Sequence, residues 1–387
     1  GLLALVFSSE ALCEGGTADE LLVSSQKFAS ELGVRLRERV YESIVPALAT
    51  EIANQLRTKG FELDAKGLQR AYELTLRVLF RLLFQAYAED RGLLPSGRNE
   101  IFDSNSMKHW GNHLLKRDNA IEFGDSSSIW FDMMQVWDAI DQGNPDMQIP
   151  AYNGGLFGTD QELHPDGYLI RSLSIPDRVM GPALRALVID DNTEDGVAGA
   201  VDFRSLSVRE FGTIYEGLLE SSLSVADQDL TVDKKGAWVP ARDGDQVIAR
   251  ANEVYFHSAS GERKATGSYY TPSFIVDHLI ERSVEPALND HLAKVKLKLE
   301  ADDQAGAYAD FFDFRVADLA MGSAHFLVAA IDKIETVMRS FLIQEGNQID
   351  GVNAELLRLE AAAKSALGPD EAAYAEIERA SLLRRQI

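Results

Sequence analysis

The stretch Phe314-Arg315-Val316-Ala317-Asp318-Leu319-Ala320-Met321-Gly322-Ser323-Ala324-His325-Phe326-Leu327 decides how this chain is read. Phe314–Asp318 reads as a strand, Leu319–Ala324 as a loop of small residues, and His325–Phe341 as a helix. That helix would turn Leu327, Val328, Ile331, Ile334, Met338 and Phe341 inward. A strand, a tight glycine-containing loop and a helix make the first half of a nucleotide-type βαβ unit. Gly322, with the small Ala320, Ser323 and Ala324, lets a ligand approach the backbone at a helix N-terminus. Asp318, at the carboxyl end of the strand, is placed to accept a hydrogen bond from an ammonium or hydroxyl group. A dinucleotide fits, and so does S-adenosylmethionine with its cationic amino acid end. Small residues equally permit close helix–strand packing, so the loop alone does not choose between ligand and packing.

Upstream, Thr271-Pro272 is a natural helix start, with threonine as N-cap and proline at the first helical position. The helix it opens places Val276, Leu279, Ile280, Val284 and Leu288 on one face, and a charged, small-residue stretch, Ala301–Asp310, follows. Before it, Val254-Tyr255-Phe256 reads as a strand and Ser258–Ser268 as a connector. Residues 1–250 read as mainly helical. Leu76, Leu79, Phe80, Leu83 and Tyr87 recur at steps of three and four, and Val78, Leu82 and Phe84 make that helix apolar almost all round. Leu32–Arg57 and Ser205–Leu219 are further helical patterns, 143–166 is a long loop region, and Leu230–Val239 is a hairpin turned at Lys235-Gly236.

Composition narrows the class. The chain has 387 residues, 45% hydrophobic and 26% charged, which allows two or three globular domains and excludes a disordered or collagen-like chain. No run of 18 apolar residues spans a membrane, and the N-terminus has no basic region of a signal peptide. Its missing Met suggests residues before Gly1. Cys13 is the only cysteine, so a disulfide framework and a Cys-based zinc site are excluded and no metal is expected. The expectation is a soluble, cytoplasmic protein. The formal net charge is −23, and neither half is basic, so the charge by itself argues against a broad nucleic-acid surface.

Gly267-Ser268-Tyr269-Tyr270-Thr271-Pro272 followed by Val316–Leu327 closely resembles the gamma-class amino-methyltransferases, which methylate adenine N6 in DNA. In that family the first segment is motif X and the second is motif I, and together they hold the methionine part of S-adenosyl-L-methionine. Tyr87–Pro95, Tyr152-Asn153-Gly154-Gly155-Leu156-Phe157 and Ile214–Glu220 resemble the helical connector of Eco57I-like, type IIG restriction-modification enzymes. The resemblance covers nearly the whole chain. It implies a mainly α connector domain, 1–250, followed by the start of an α/β Rossmann-like methyltransferase domain, 251–387. The implied cofactor-binding residues are Tyr270, Thr271, Pro272, Asp318, Ala320, Met321, Gly322, Ser323, Ala324 and Phe326.

Two features depart from the family. Its proline after the motif I Asp is Leu319 here, and its second loop glycine is Ala324. The target amine is held in the family by an Asn/Asp-Pro-Pro-Tyr/Phe loop that stacks on the flipped base. All eleven prolines here are isolated, so no catalytic residue is assigned, and the acidic residue for the ribose hydroxyls is expected beyond Ile387. Nuclease-type tripeptides occur at Asp64-Ala65-Lys66, Asp233-Lys234-Lys235 and Glu262-Arg263-Lys264, none with an upstream metal-binding Asp on a neighbouring strand. Ser323 lacks the nucleophile-elbow context. His278 and His325 are isolated, Trp110, Trp130 and Trp137 read as core, and Lys294, Lys296 and Lys298 read as a solvated face. The expected function is part of a DNA N6-adenine methyltransferase of a restriction-modification or phage-defence system, acting on double-stranded DNA. The alternatives are a non-catalytic helical scaffold linking nuclease and DNA-recognition domains and, more weakly, a dinucleotide-dependent oxidoreductase.

Overall fold

Pro46 lies inside the first long helical pattern, and the backbone adjusts around it. Helix α1, Thr17–Arg39, runs into a single π turn, Val40–Ile44, and continues as α2, Val45–Thr58. Pro46 has no N–H to donate, and the wider turn, in which the Val45 N–H reaches back to the Val40 carbonyl, absorbs the change while Val40 and Ile44 stay buried. The structure is a computed structural model. It describes residues 16–116, 123–152, 154–191, 198–206, 221–233, 236–258, 273–321, 324–366 and 379–387, with 8, 11, 13, 211, 212, 214, 215, 218 and 271. The chain divides into two compact units, Gly1–Thr266 and Gly267–Ile387.

The first unit is organised on α3, Ala65–Asp90, which Asp64 caps by accepting from the Gly67 N–H at 2.8 Å. Leu74, Val78, Leu79, Leu82 and Leu83 are all buried, so the helix is enclosed on nearly every side, as its pattern predicts. Helices α2, α5 (Met107–Lys116) and α7 (Pro165–Arg171) pack on it and α6 (Ser128–Gln142) reaches it through Trp137, while α4 (Glu100–Asn105) and α8 (Asp177–Val188) pack on these neighbours. The strands form three antiparallel pairs: β1 (Ile189–Asp190) with β2 (Gly199–Ala200), β3 (Ser221–Val225) with β6 (Val254–Ser258), and β4 (Leu230–Val232) with β5 (Trp238–Pro240). The last pair is the expected hairpin, with Thr231 opposite Val239. Because β6 pairs along its length with β3, Val254–Ser258 belongs to the first unit. Most of the expected helix Ser205–Leu219 and of the connector Ser258–Ser268 lies outside the described residues.

Four polar side chains are buried on α3, and three of them join it to its neighbours. The Trp137 Nε1–H donates to Gln85 Oε1 at 2.9 Å, and Gln85 Nε2 donates to Glu89 Oε1 at 2.9 Å. Glu89 then accepts the Met107 and Lys108 N–H groups at 2.8 and 3.0 Å, capping α5 from a neighbouring helix. Arg81 donates from Nε to the Leu156 carbonyl at 2.9 Å, with its guanidinium over the Trp137 and Phe157 rings. Burial pushes its pKa down to about 10, so it remains charged at neutral pH. Gly167 is a close-approach position: a Cβ there would meet the Gly158 carbonyl oxygen at 1.8 Å.

The second unit consists, among its described residues, of α9 (Ser273–Glu300), α10 (Gln304–Phe311), α11 (His325–Leu342), α12 (Asp350–Ala366) and α13 (Arg379–Gln386). Val276, Ile280, Leu288, Phe311, Ile334, Met338, Val352 and Leu383 share its core. Three local expectations need correction. Phe314–Asp318 is not a strand: it runs as unpaired chain after α10, and none of the described strands supplies it with ladder partners. The Ala301–Asp310 stretch contains α10, started where Asp303 accepts the Gly306 N–H at 2.9 Å. Leu279 is exposed, since the inward stripe of α9 steps by four through Val276, Ile280, Val284 and Leu288.

The buried Glu89 makes stability depend on pH. Burial raises its pKa from 4.5 to about 7, with the Met107 and Lys108 N–H groups and Gln85 partly opposing the rise. A carboxyl with a raised folded-state pKa favours the native state when protonated. Its contribution is present below about 4.5, shrinks as pH rises, and is gone above about 7. Urea midpoints measured between pH 5 and 8 are expected to fall with rising pH, and Glu89→Gln is expected to flatten that slope.

Candidate functional site

The direction of two helices positions the candidate site. Glu285 of α9 pairs with Lys333 of α11 at 3.0 Å. Further along both helices, Leu292 and Lys296 face the same groove as Ser340, Phe341 and Gln344. Residue numbers therefore rise together, and α9 and α11 run in the same direction. Their N-termini, at Ser273 and His325, stand at the same end of the pair. Thr271, half-buried, leads into the first, and Ala324 leads into the second.

Of the residues expected to hold a cofactor, Tyr270, Pro272, Gly322 and Ser323 lie outside the described residues. Asp318 is half-buried and closes a small turn, its Oδ1 accepting the Ala320 N–H at 3.0 Å. Ala320 is exposed, Leu319 is fully exposed and Met321 is 52% exposed. Phe326 points the other way, packing against the core of the unit. Ala324 adopts φ +61°, ψ +16°, the left-handed region, directly before α11. Its N–H donates to the Met321 carbonyl at 2.8 Å, folding the loop back before the helix starts. This is the position at which the resembled family carries glycine, the residue that adopts such a backbone without a Cβ penalty.

The three connector segments meet on α3. Arg77 donates to the Gly155 carbonyl at 2.9 Å, and Phe157 sits edge-on to Phe84 at 5.2 Å. Tyr152 donates its hydroxyl to the Leu93 carbonyl at 2.6 Å. Asp90 accepts the Phe203 N–H at 2.8 Å, while Tyr41 and Tyr72 donate their hydroxyls to the Ile214 and Leu218 carbonyls. These segments share a structural task, packing and capping around one helix, which no linear spacing announces. Trp130 and Trp137 are buried edge-to-face, and Trp110 donates to Asp132 at 2.9 Å, so all three are packed residues. His278 is exposed and His325 is half-buried. Lys234, Lys235 and the tripeptide Glu262-Arg263-Lys264 lie outside the described residues. No three His, Cys, Asp or Glu side chains are grouped to hold a metal among the described residues, and none of their helices is long and apolar enough to cross a membrane.

No family model, curated protein or solved structure matches the chain.

Ala324 carries a backbone cost that glycine would not. Ala324→Gly is expected to raise the stability of the second unit by about 1 kcal/mol, because the left-handed penalty for an L-residue exceeds the entropy that glycine adds to the unfolded chain. The urea midpoint at constant m-value measures it.

Proposed function

We propose that the chain is part of an S-adenosylmethionine-dependent DNA adenine-N6 methyltransferase of a restriction-modification or phage-defence system, carrying the methionine side of the cofactor pocket. The observation that carries this reading is the pair of segments Gly267–Pro272 and Val316–Leu327, leading into two helices whose N-termini stand at one end of a parallel pair. In this reading Thr271 flanks the amino acid end of the cofactor, the loop backbone from Asp318 to Ala324 approaches it, and Phe326, packed against the core of the unit, anchors the start of α11. Asp318 accepts from the cofactor's ammonium with the carboxylate oxygen its own turn does not use. The cofactor supplies an electrophilic methyl group on a sulfonium. Transfer to an adenine amine is a direct in-line displacement, in which positioning supplies most of the catalysis. Double-stranded DNA is the partner of the complete machinery, and cytoplasm the expected compartment.

A second reading, a helical scaffold with a degenerate cofactor loop, is favoured by the unpaired course of Phe314–Asp318 and the full exposure of Leu319. Titration separates the two. The chain is expected to bind S-adenosylmethionine weakly and NAD not at all. Asp318→Ala is expected to weaken binding roughly tenfold or more, since a charge-assisted hydrogen bond contributes ~1.5–3 kcal/mol, while Ala324→Gly tightens it. Absence of binding by both the unmodified chain and Ala324→Gly at millimolar cofactor would leave the scaffold reading, and binding of NAD instead would make the site a dinucleotide site.

The 387 residues contain no Pro-Pro pair for a target-amine loop. The purified chain is therefore expected to transfer no labelled methyl group to DNA above a blank. Measurable transfer would show that another segment positions the amine.

A further inference from the structure

Helix α5 of the first unit carries His109 and His113 one turn apart, so both imidazoles project from the same face. Their ring centroids lie 4.8 Å apart, with the planes inclined at 50°. His113 is exposed and His109 is half-buried. No ring nitrogen of either makes a hydrogen bond or ion pair among the described residues, which leaves these nitrogens to solvent.

The separation of the rings is that of a chelate. A metal–imidazole bond of about 2.1 Å puts the metal about 3.2 Å from the ring centroid. Two such rings have centroids about 4.5 Å apart at a right angle about the metal, and about 5.2 Å apart at the tetrahedral angle. The observed 4.8 Å falls between the two. Histidines four apart on a helix are also the spacing of the zinc-binding helix of metalloproteases. In that helix a glutamate between them serves as general base. Here the intervening residues are Trp110, Gly111 and Asn112, so the pair can bind a metal without the group that would make it hydrolytic.

The surroundings favour a cation. Burial raises the pKa of Asp132 on α6, while the Trp110 Nε1–H that it accepts at 2.9 Å and the proximity of His109 oppose the rise. Asp132 therefore lies within electrostatic reach of the pair. The neighbouring Lys108 is turned away, to Asp90 at 3.1 Å and the Glu89 carbonyl at 3.2 Å, and Lys116 at the far end of the helix is exposed.

We propose that His109 and His113 bind a divalent transition-metal ion of the zinc type through one ring nitrogen each, with water in the remaining positions. Imidazole suits zinc, copper and nickel, whereas magnesium and calcium take oxygen ligands. Asp132 adds charge nearby and is not a third ligand, since no three His, Cys, Asp or Glu side chains are grouped to hold a metal among the described residues. Two protein ligands make a site that fills and empties with metal supply, unlike a structural zinc centre closed by four side chains. This site is independent of the methyltransferase reading, because it uses none of the residues assigned to the cofactor.

The test is calorimetry with Zn²⁺ on the full chain, stripped of metal by a chelator and carrying no polyhistidine tag. One equivalent of Zn²⁺ is expected to bind with Kd below about 100 µM, and Mg²⁺ is expected not to bind. His113→Ala changes an exposed helix position to the strongest helix former and is expected to weaken Zn²⁺ binding tenfold or more. His109→Ala is expected to do the same. His278→Ala, which removes an exposed histidine of the second unit, is expected to leave binding unchanged. A second readout is local. The Trp110 ring lies 6.0 and 6.1 Å from the two histidine rings, so Cu²⁺ is expected to quench its fluorescence, and Trp110→Phe to remove most of that quenching. Absence of Zn²⁺ binding at about 1 mM, equal binding by His113→Ala, equal binding of Mg²⁺, or Cu²⁺ quenching that persists in His113→Ala would each overturn the proposal.

Discussion

Helix α3 has little surface it can leave to water, and the rest of the first unit follows from enclosing it. Leucines and valines at Leu74, Val78, Leu79, Leu82 and Leu83 point in several directions around the axis, so neighbours are needed on several sides. The enclosure also covers Thr75, Arg81, Gln85 and Glu89, and each must then be satisfied inside the protein. Thr75 does so within its own helix, donating to the Ala71 carbonyl. Gln85 and Glu89 do so by reaching Trp137 of α6 and the N-terminus of α5. Arg81 is satisfied only in part: its Nε reaches the Leu156 carbonyl, while its two buried Nη groups have no hydrogen-bond partner and its guanidinium lies over two aromatic rings. The polar groups thus specify which helices pack where, a selectivity that leucine contacts alone do not supply.

The second unit depends on a different constraint. Its helices α9 and α11 run in the same direction, which two helices can do only when a long connection returns the chain from the end of one to the start of the other. Here α10 and the unpaired stretch Phe314–Met321 make that return. His291 and Phe314 lie 5.4 Å apart, and the Asp310 carbonyl bonds His291, so the returning chain is held against α9. The return explains why a segment patterned like a strand can be ordered without pairing. Phe314 is used against α9 rather than in a sheet, while Val316 and Ala317 stay exposed.

The candidate cofactor loop shows how far residue type carries a site. Its small residues and its aspartate are visible in order along the chain, and so is Ala324 where the resembled family carries glycine. That this alanine takes a left-handed backbone, and that Asp318 already bonds its own loop, are facts of three-dimensional closure. The groove between α9 and α11 carried no linear signal at all. Its residues come from two helices and the turn after the second, separated by dozens of positions.

The sequence by itself determined the local elements: the apolar girdle of α3, the helix from His325, the hairpin at 230–239, and the start of α9 near Thr271-Pro272. Each rests on near-neighbour chemistry, namely periodicity, caps and turn residues, which act within a few positions of the chain. Only the tertiary structure decided that Glu89 caps α5, that the three connector segments converge on α3, that Phe314–Asp318 remains unpaired, and that α9 and α11 run side by side in one direction. These depend on partners far away in sequence. A buried carboxylate takes whichever N–H groups packing brings to it, and an extended segment becomes a strand only where another strand offers its backbone.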